Sequence, residues 1–298
     1  MLAKKIKSIY TQGMEKEDVG ILVCDNQIKI DFDSLDNGEI EEPLITSTLI
    51  KAVNNDWIKE EVLFVVVKAY HDDVIKDMPN LEICGKKMID WVYNAGSGCE
   101  RKIIDDSQDI IGKVRSISTD KQIIAVFYSD TPLLDKVTFN KFCDYFSSRN
   151  MNFLKLSRGF LVKTEFLKNN YAIAQGASEL DDKNLIVCDS SKVIGNICNL
   201  LYNKILNYHI KNGVIIYGQN TVFIDADVEI ESGVIIYPNN IIKGQSIIEE
   251  NVVLGSGNVI INSIISNGDK MSMCYIENSK ISAGKTLEPF SKFIGQEY

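Results

Sequence analysis

From Val222 onward the chain repeats one aliphatic position every six residues. Ile224, Ile230, Ile236, Ile242, Ile248, Leu254 and Ile260 follow one another at a spacing of six. Ile265, Met271, Ile276, Ile281, Leu287 and Phe293 continue the row at five or six. Valines at 222, 228, 234 and 252 stand two residues ahead of that position. A helix repeats at about 3.6 residues and a strand at about 2, so neither explains a period of six. A coil with three short flat faces does, with one inward side chain per face and about 18 residues per turn. Residues 222–293 then form about four coils of a parallel β-helix, with Glu231-Ser232-Gly233, Pro238-Asn239-Asn240 and Gly255-Ser256-Gly257 at corners. Each inward aliphatic contributes about 1.5–3 kcal/mol of burial. A sandwich of short strands would need alternation of period two and hairpin turns.

Upstream the period changes. Val193, Ile194, Ile197, Leu201, Ile205 and Tyr208 recur at helical spacing behind Ser190 or Ser191 as cap, and Asn212-Gly213 closes the helix. This helix reads as an arm joining two domains. Residues 62–67 are uninterruptedly apolar, the mark of a strand buried on both faces. Further elements are expected as helices over 86–94, 110–117 and 137–147, and as strands over 101–104, 123–128 and 160–162. Strands alternating with helices predict a largely parallel sheet covered on both faces. Ligands of such sheets bind beyond the carboxyl ends of the strands, where strand 123–128 delivers Asp130 ahead of Pro132. A carboxylate there suits Mg²⁺, and it equally suits a turn or helix cap.

The chain thus divides into 1–60, an α/β domain over 61–189, a connecting helix over 190–213 and the β-helix over 214–298. In the first region, 20–32 reads as a β-hairpin turning at Asp25-Asn26, 33–42 as an acidic solvated loop and 43–53 as a helix. No function follows from it.

Composition narrows the class. A length of 298 residues allows about two domains, and 45% hydrophobic with 24% charged residues is ordinary for a globular protein. With 41 acidic against 32 basic residues and a net charge of -9, the chain is not suited to holding a nucleic acid backbone. Its apolar runs fall far short of the roughly 20 residues that span a bilayer, and no apolar signal stretch follows Met1. A soluble, cytoplasmic protein is expected, with no membrane and no nucleic acid partner. The seven cysteines are odd in number, scattered, and without a C-x-x-C pair. They read as small hydrophobes, not as a disulfide framework, zinc site or catalytic thiol.

The order of parts resembles a known family. Asn212-Gly213-Val214-Ile215-Ile216, the run from Phe223 to Ile230, and Val234-Ile235-Ile236-Tyr237-Pro238 are similar to its arm-to-β-helix junction. The family is the bifunctional N-acetylglucosamine-1-phosphate uridylyltransferase/glucosamine-1-phosphate acetyltransferases. Glu288-Pro289-Phe290 resembles its Gly-Pro-Phe, and Tyr128-Ser129-Asp130-Thr131-Pro132-Leu133 its Tyr-Gly-Asp-Thr-Pro-Leu metal motif. Cys84-Gly85-Lys86-Lys87-Met88-Ile89 is similar to its Gly-Lys-Pro-Met helix start. The resemblance implies a nucleotidyltransferase-like, Rossmann-like α/β domain and a left-handed β-helix that assembles as a homotrimer. It also implies a nucleotide-sugar or sugar-phosphate ligand, and Mg²⁺ held by Asp130 and Asp189. Lys68, Tyr128, Ser157 and Gly159 fall at the substrate positions.

The phosphate-binding segment departs from the family. Where the family carries Gly-x-Gly-Thr-Arg-Met and then Pro-Lys, this chain has Ala69-Tyr70-His71-Asp72-Asp73-Val74 and then Pro79-Asn80. Glycine amides that cradle a triphosphate are absent, and carboxylates replace cations. Losing one such group costs about 10²–10³ in rate. The family's acetyl-transfer residues lie in coils beyond its Pro-Phe, so no acetyltransferase activity is expected of these residues. Two readings follow. One is a binding or assembly protein with lost or impaired catalysis. The alternative is an active Mg²⁺-dependent sugar-1-phosphate nucleotidyltransferase making a UDP-sugar such as UDP-N-acetylglucosamine.

Overall fold

A computed structural model describes residues 56–71, 77–169 and 179–298. The hairpin expected over 20–32, the helix over 43–53, and Asp72 and Asp73 lie outside the described residues.

Among the described residues, the α/β portion is built on a six-stranded sheet. Its strands are β1 (Val62–Lys68), β4 (Glu100–Asp105), β5 (Ile123–Tyr128), β6 (Phe153–Leu156), β7 (Gly159–Lys163) and β8 (Glu179–Leu180), in the order β4-β1-β5-β7-β6-β8. The apolar run of β1 is explained by two cores. Val62, Phe64 and Val66 pack on one face with α2 (Met88–Ala95) and α4 (Lys136–Ser148). Leu63, Val65 and Val67 pack on the other with α3 (Ile110–Arg115) and α5 (Thr164–Asn169). Alternate side chains of a strand face opposite ways, so only an unbroken apolar run serves both.

The sheet is more mixed than the sequence pattern predicts. β1 is parallel to β4 and β5, whereas β7 runs antiparallel to both β5 and β6. Ser157 and Arg158 form a two-residue turn between β6 and β7, and so short a link permits only an antiparallel pair. The helix expected over 86–94 begins later, at Met88, because Lys86–Lys87 (β3) pairs with Glu82–Ile83 (β2) in a small hairpin.

The arm helix α6 (Ser191–Lys211) is capped by Ser190 and buries Ile197, Leu201, Ile205 and Leu206. Beyond it come three parallel sheets of short strands, two of four strands and one of five. The five are β10 (Phe223–Ile224), β13 (Ile241–Lys243), β16 (Val259–Ile261), β19 (Tyr275–Glu277) and β21 (Lys292–Ile294). Register places Ile224, Ile242, Ile260, Ile276 and Phe293 in one inward column. Every aliphatic position predicted from the six-residue row from Ile224 to Leu287 is buried. These stacked parallel strands form a β-helix.

Coil length is not constant along the stack. Ile242 to Ile260 is a step of 18 residues, and Ile260 to Ile276 one of 16. Corners use left-handed backbone, supplied mostly by glycine and by Asn239, Asn251, Asn262 and Asn278, for which that region is accessible. Buried polar ladders run beside the aliphatic columns. Asn258 Nδ2 donates to Asn240 Oδ1 at 2.9 Å, and Cys274 N donates to Asn258 Oδ1 at 3.0 Å. Ser246, Ser263 and Ser279 each accept at Oγ from the backbone one coil on. These side chains satisfy corner amides that burial would otherwise orphan.

Among the described residues, no helix is long and apolar enough to cross a membrane.

Candidate functional site

The rim at the carboxyl end of β5 gathers the charged groups. The apolar strand ends in Tyr128, and the chain turns through Ser129-Asp130-Thr131, all three fully buried. The turn is held from both sides. Ala69 N donates to Ser129 Oγ at 2.9 Å, Ser129 N to Val67 O at 2.9 Å, and Thr131 Oγ1 to Tyr128 O at 2.9 Å. The polar side chains here therefore replace backbone pairing where the sheet ends.

Asp130 is not left open to solvent. Arg158 donates from Nε to Oδ1 at 3.1 Å and from Nη2 to Oδ2 at 2.7 Å, a two-point grip on the carboxylate. His71 Nε2 lies 2.9 Å from Oδ2. The guanidinium carbon also sits 3.8 Å from the centre of the Tyr128 ring, where a cation is attracted to the π face. Burial raises the pKa of the Tyr128 hydroxyl.

The β6–β7 turn explains how Arg158 arrives. Phe127 of β5 is in register with Gly159 of β7, so the residue before Gly159 projects over the end of β5. Gly159 has φ +136°, and a Cβ there would meet Val126 O at 2.3 Å. Only glycine allows the two strands to close at this point, and that closure sets Arg158 on Asp130.

The other expected residues are placed less centrally. Ser157 is exposed in the turn. Lys68, at the end of β1, pairs with Asp105 at 3.1 Å on the surface. Its pKa is raised by the hydrogen bond and charge of that partner. The backbone does bring the two expected metal ligands near each other, because Cys188 N donates to Asp130 O at 2.8 Å. Asp189 itself is exposed. Asn80, at the position of the family's lysine, donates to Asp77 at the surface.

A magnesium ion needs carboxylate oxygens with free lone pairs and open space for water or phosphate. Both Asp130 oxygens already accept from Arg158, and His71 adds a further contact. Among the described residues, no group of three or more His, Cys, Asp or Glu is arranged to hold a metal ion. The residues present therefore do not fit Mg²⁺ at Asp130. A guanidinium occupies the electrostatic role a divalent cation would have filled.

Sequence reasoning singled out Asp130 and noted His71, but it missed Arg158 as their partner. The available signal was a lone arginine directly before the glycine that closes β7 onto β5. Reading it required the antiparallel register of β7.

Comparison with known proteins places these observations. No family model matches the chain. The bifunctional protein GlmU of Clostridium beijerinckii is 37% identical over 92 residues, which is 31% of this chain and 20% of that protein. GlmU of Clostridium acetobutylicum is 28% identical over 116 residues, 39% of this chain and 25% of that protein. The chain thus spans a quarter or less of the length of these curated relatives. Solved structures align over about half of it. A CMP:2-keto-3-deoxy-manno-octonic acid synthetase complexed with CTP gives a TM-score of 0.40 at 10% identity, covering 48% of this chain and 99% of that one. A 4-diphosphocytidyl-2C-methyl-D-erythritol synthase from Anaerococcus prevotii gives 0.37 at 8% identity, covering 50% and 99%. Over about a third of its length, the chain resembles the bifunctional GlmU proteins.

Proposed function

We propose that this chain is a GlmU-like relative of the sugar-1-phosphate nucleotidyltransferases in which catalysis at the β5 rim is lost or impaired. Its role is then binding or assembly on the same frame, with a nucleotide-sugar or sugar phosphate as the ligand class. The observation that carries the reading is the two-point grip of Arg158 on Asp130. In-line transfer at an α-phosphate depends on positioning and on neutralising charge at the phosphate oxygens. A carboxylate already neutralised by an arginine contributes little to either.

The β-helix supports the assembly half of the proposal. Ile235 and Val253, Ile241 and Val259, and Ile247 and Ile264 point outward in pairs on its three faces and are half-buried. We infer a left-handed coil whose faces pack in a homotrimer, as the resemblance implies. Sedimentation of a stable monomer at micromolar concentration would count against the trimer.

The catalytic half is tested by pyrophosphate release from UTP and N-acetylglucosamine-1-phosphate with Mg²⁺ or Mn²⁺ at high protein concentration. The expected result is no turnover above a protein-free control. Turnover that disappears in Asp130→Ala would establish the alternative, an active metal-dependent enzyme. Mn²⁺ binding followed by electron paramagnetic resonance gives a second readout. The wild type is expected to leave Mn²⁺ free at concentrations where Arg158→Ala takes it up.

A further inference from the structure

The tip of the β2–β3 hairpin carries an unusual residue. Ile83 pairs with Lys86, so Cys84-Gly85 is a two-residue turn, and both have positive φ, +51° and +83°. That geometry strongly favours Asn-Gly or Asp-Gly, and an ordinary side chain such as cysteine is strained in its first position. Strain of this kind persists where the surrounding structure has a use for it.

Cys84 sits at a three-way junction. Its carbonyl accepts from Ala226 N at 3.0 Å, on the first coil of the β-helix. A Cβ at Gly85 would lie 2.5 Å from that of Asp225, so the tip is pressed against the coil. Lys86 pairs with Asp227 at 2.7 Å. The Cys84 thiol turns toward the arm helix, donating to Cys198 O at 3.6 Å. That contact brings the Cys84 side chain up against Cys198 of the arm helix. Cys84 is buried, whereas Cys198 is partly exposed and open to a small reagent.

We propose that Cys84 and Cys198 are an oxidisable thiol pair whose disulfide fastens the α/β portion to the arm helix at the foot of the β-helix. A hydroperoxide supplies the oxidant. The Cys198 thiolate attacks one peroxide oxygen, the O–O bond breaks, and Cys198 becomes a sulfenic acid as water leaves. The Cys84 sulfur then attacks the Cys198 sulfur, an S–S bond forms, the S–O bond breaks, and a second water leaves. Two thiols give up two electrons and two protons, and one hydrogen peroxide becomes two waters. A dithiol returns the pair by exchange.

The order of attack has a physical basis. The neighbouring Cys84 side chain lowers the pKa of the Cys198 thiol to about 7, while Cys198 and burial push Cys84 up. The thiolate is the reactive form, so Cys198 reacts first and Cys84 resolves. Burial raises the pKa of Cys99, Cys143 and Cys274, which makes them internal controls. This inference is independent of what binds at the β5 rim.

The test uses the full chain, reduced, then treated with hydrogen peroxide, acid-quenched, unfolded and alkylated. Peptide mapping without reductant is expected to find Cys84 joined to Cys198. Alkylation of those two should fall by about tenfold and that of Cys143 stay constant, with full recovery after dithiothreitol. In Cys84→Asn, which places a residue suited to the turn, Cys198 should stop at the sulfenic acid and be captured by dimedone. Peroxide-treated wild type in which the two remain separately alkylated would overturn the proposal. So would a disulfide joining either of them to another cysteine. The wild-type mapping needs no variant to fold, so a misfolded variant leaves the test intact.

Discussion

The contact between Arg158 and Asp130 makes an asymmetric prediction about stability. The Asp130 side chain is fully buried, while that of Arg158 keeps 28% of its exposure. Removing the arginine leaves a buried carboxylate with only His71 beside it, and breaking a buried pair typically costs 3–5 kcal/mol. Partial exposure of the guanidinium moves the figure toward the lower end, so Arg158→Ala should cost about 3 kcal/mol. That corresponds to roughly a hundredfold in the unfolding equilibrium, or about 6–12 °C in melting temperature for a chain of this size. Asp130→Asn should cost far less, about 1 kcal/mol. The amide oxygen still accepts a hydrogen bond, and the freed cation can reach water and keeps the Tyr128 ring. Urea unfolding of the full chain followed by tryptophan fluorescence measures both, because Trp57 and Trp91 pack in and beside the α/β portion. If Arg158→Ala lay within 1 kcal/mol of wild type, or if Asp130→Asn were the costlier change, the carboxylate would not depend on this guanidinium. Asp130 would then be free to take a metal ion.

Three further outcomes follow from the packing. Gly159→Ala should cost more than about 2 kcal/mol, because its Cβ would meet Val126 O at 2.3 Å in a backbone region L residues avoid; soluble yield and thermal melting check this. Ile260→Ala, at a fully buried column position between Ile242 and Ile276, should cost about 2–5 kcal/mol, read by far-UV circular dichroism during denaturation. Asp269 is buried with Oδ2 unpartnered, and burial raises its pKa. A raised folded-state value gives stability that is complete below the ordinary carboxylate range and lost as pH rises through the folded value. Asp269→Asn should therefore melt above wild type at pH 7, with the gap closing as pH falls toward 4. A gap that widened on acidification would reverse the sign of this assignment.

Much of the fold could be read from the chain because its signals are local. The six-residue row from Ile224 needs only a period, and each of its members down to Leu287 is buried. The arm helix needs a cap and a heptad-like stripe, and Ser190 provides the first as expected. β1 declares its two-sided burial by six consecutive apolar residues. What failed to show was non-local. The short link through Ser157 and Arg158 reverses β7 against β5, and the pairing of Lys86–Lys87 takes two residues from a helix start. Arg158 belongs to the same class. Its partner is 28 positions away, and nothing about an arginine beside a glycine says which carboxylate it meets. The Cys84–Cys198 contact spans 114 positions and was equally silent.

The coil stack has a consequence for how the molecule comes apart. Each coil touches only the one before and the one after, through backbone rungs such as Ile235 N to Val252 O and Val253 N to Asp269 O. Stability in such an array adds up interface by interface along one axis, instead of through a shared central volume. A defect in a middle coil therefore divides the stack into two shorter ones, while the same defect at an outer coil merely frays it. Because the arm helix and the hairpin tip share a hydrophobic cluster with the inward columns, the coils nearest the arm gain support from outside the stack. Amide exchange should therefore be slowest in the coils that pack on the arm, around Ile216 and Ile224.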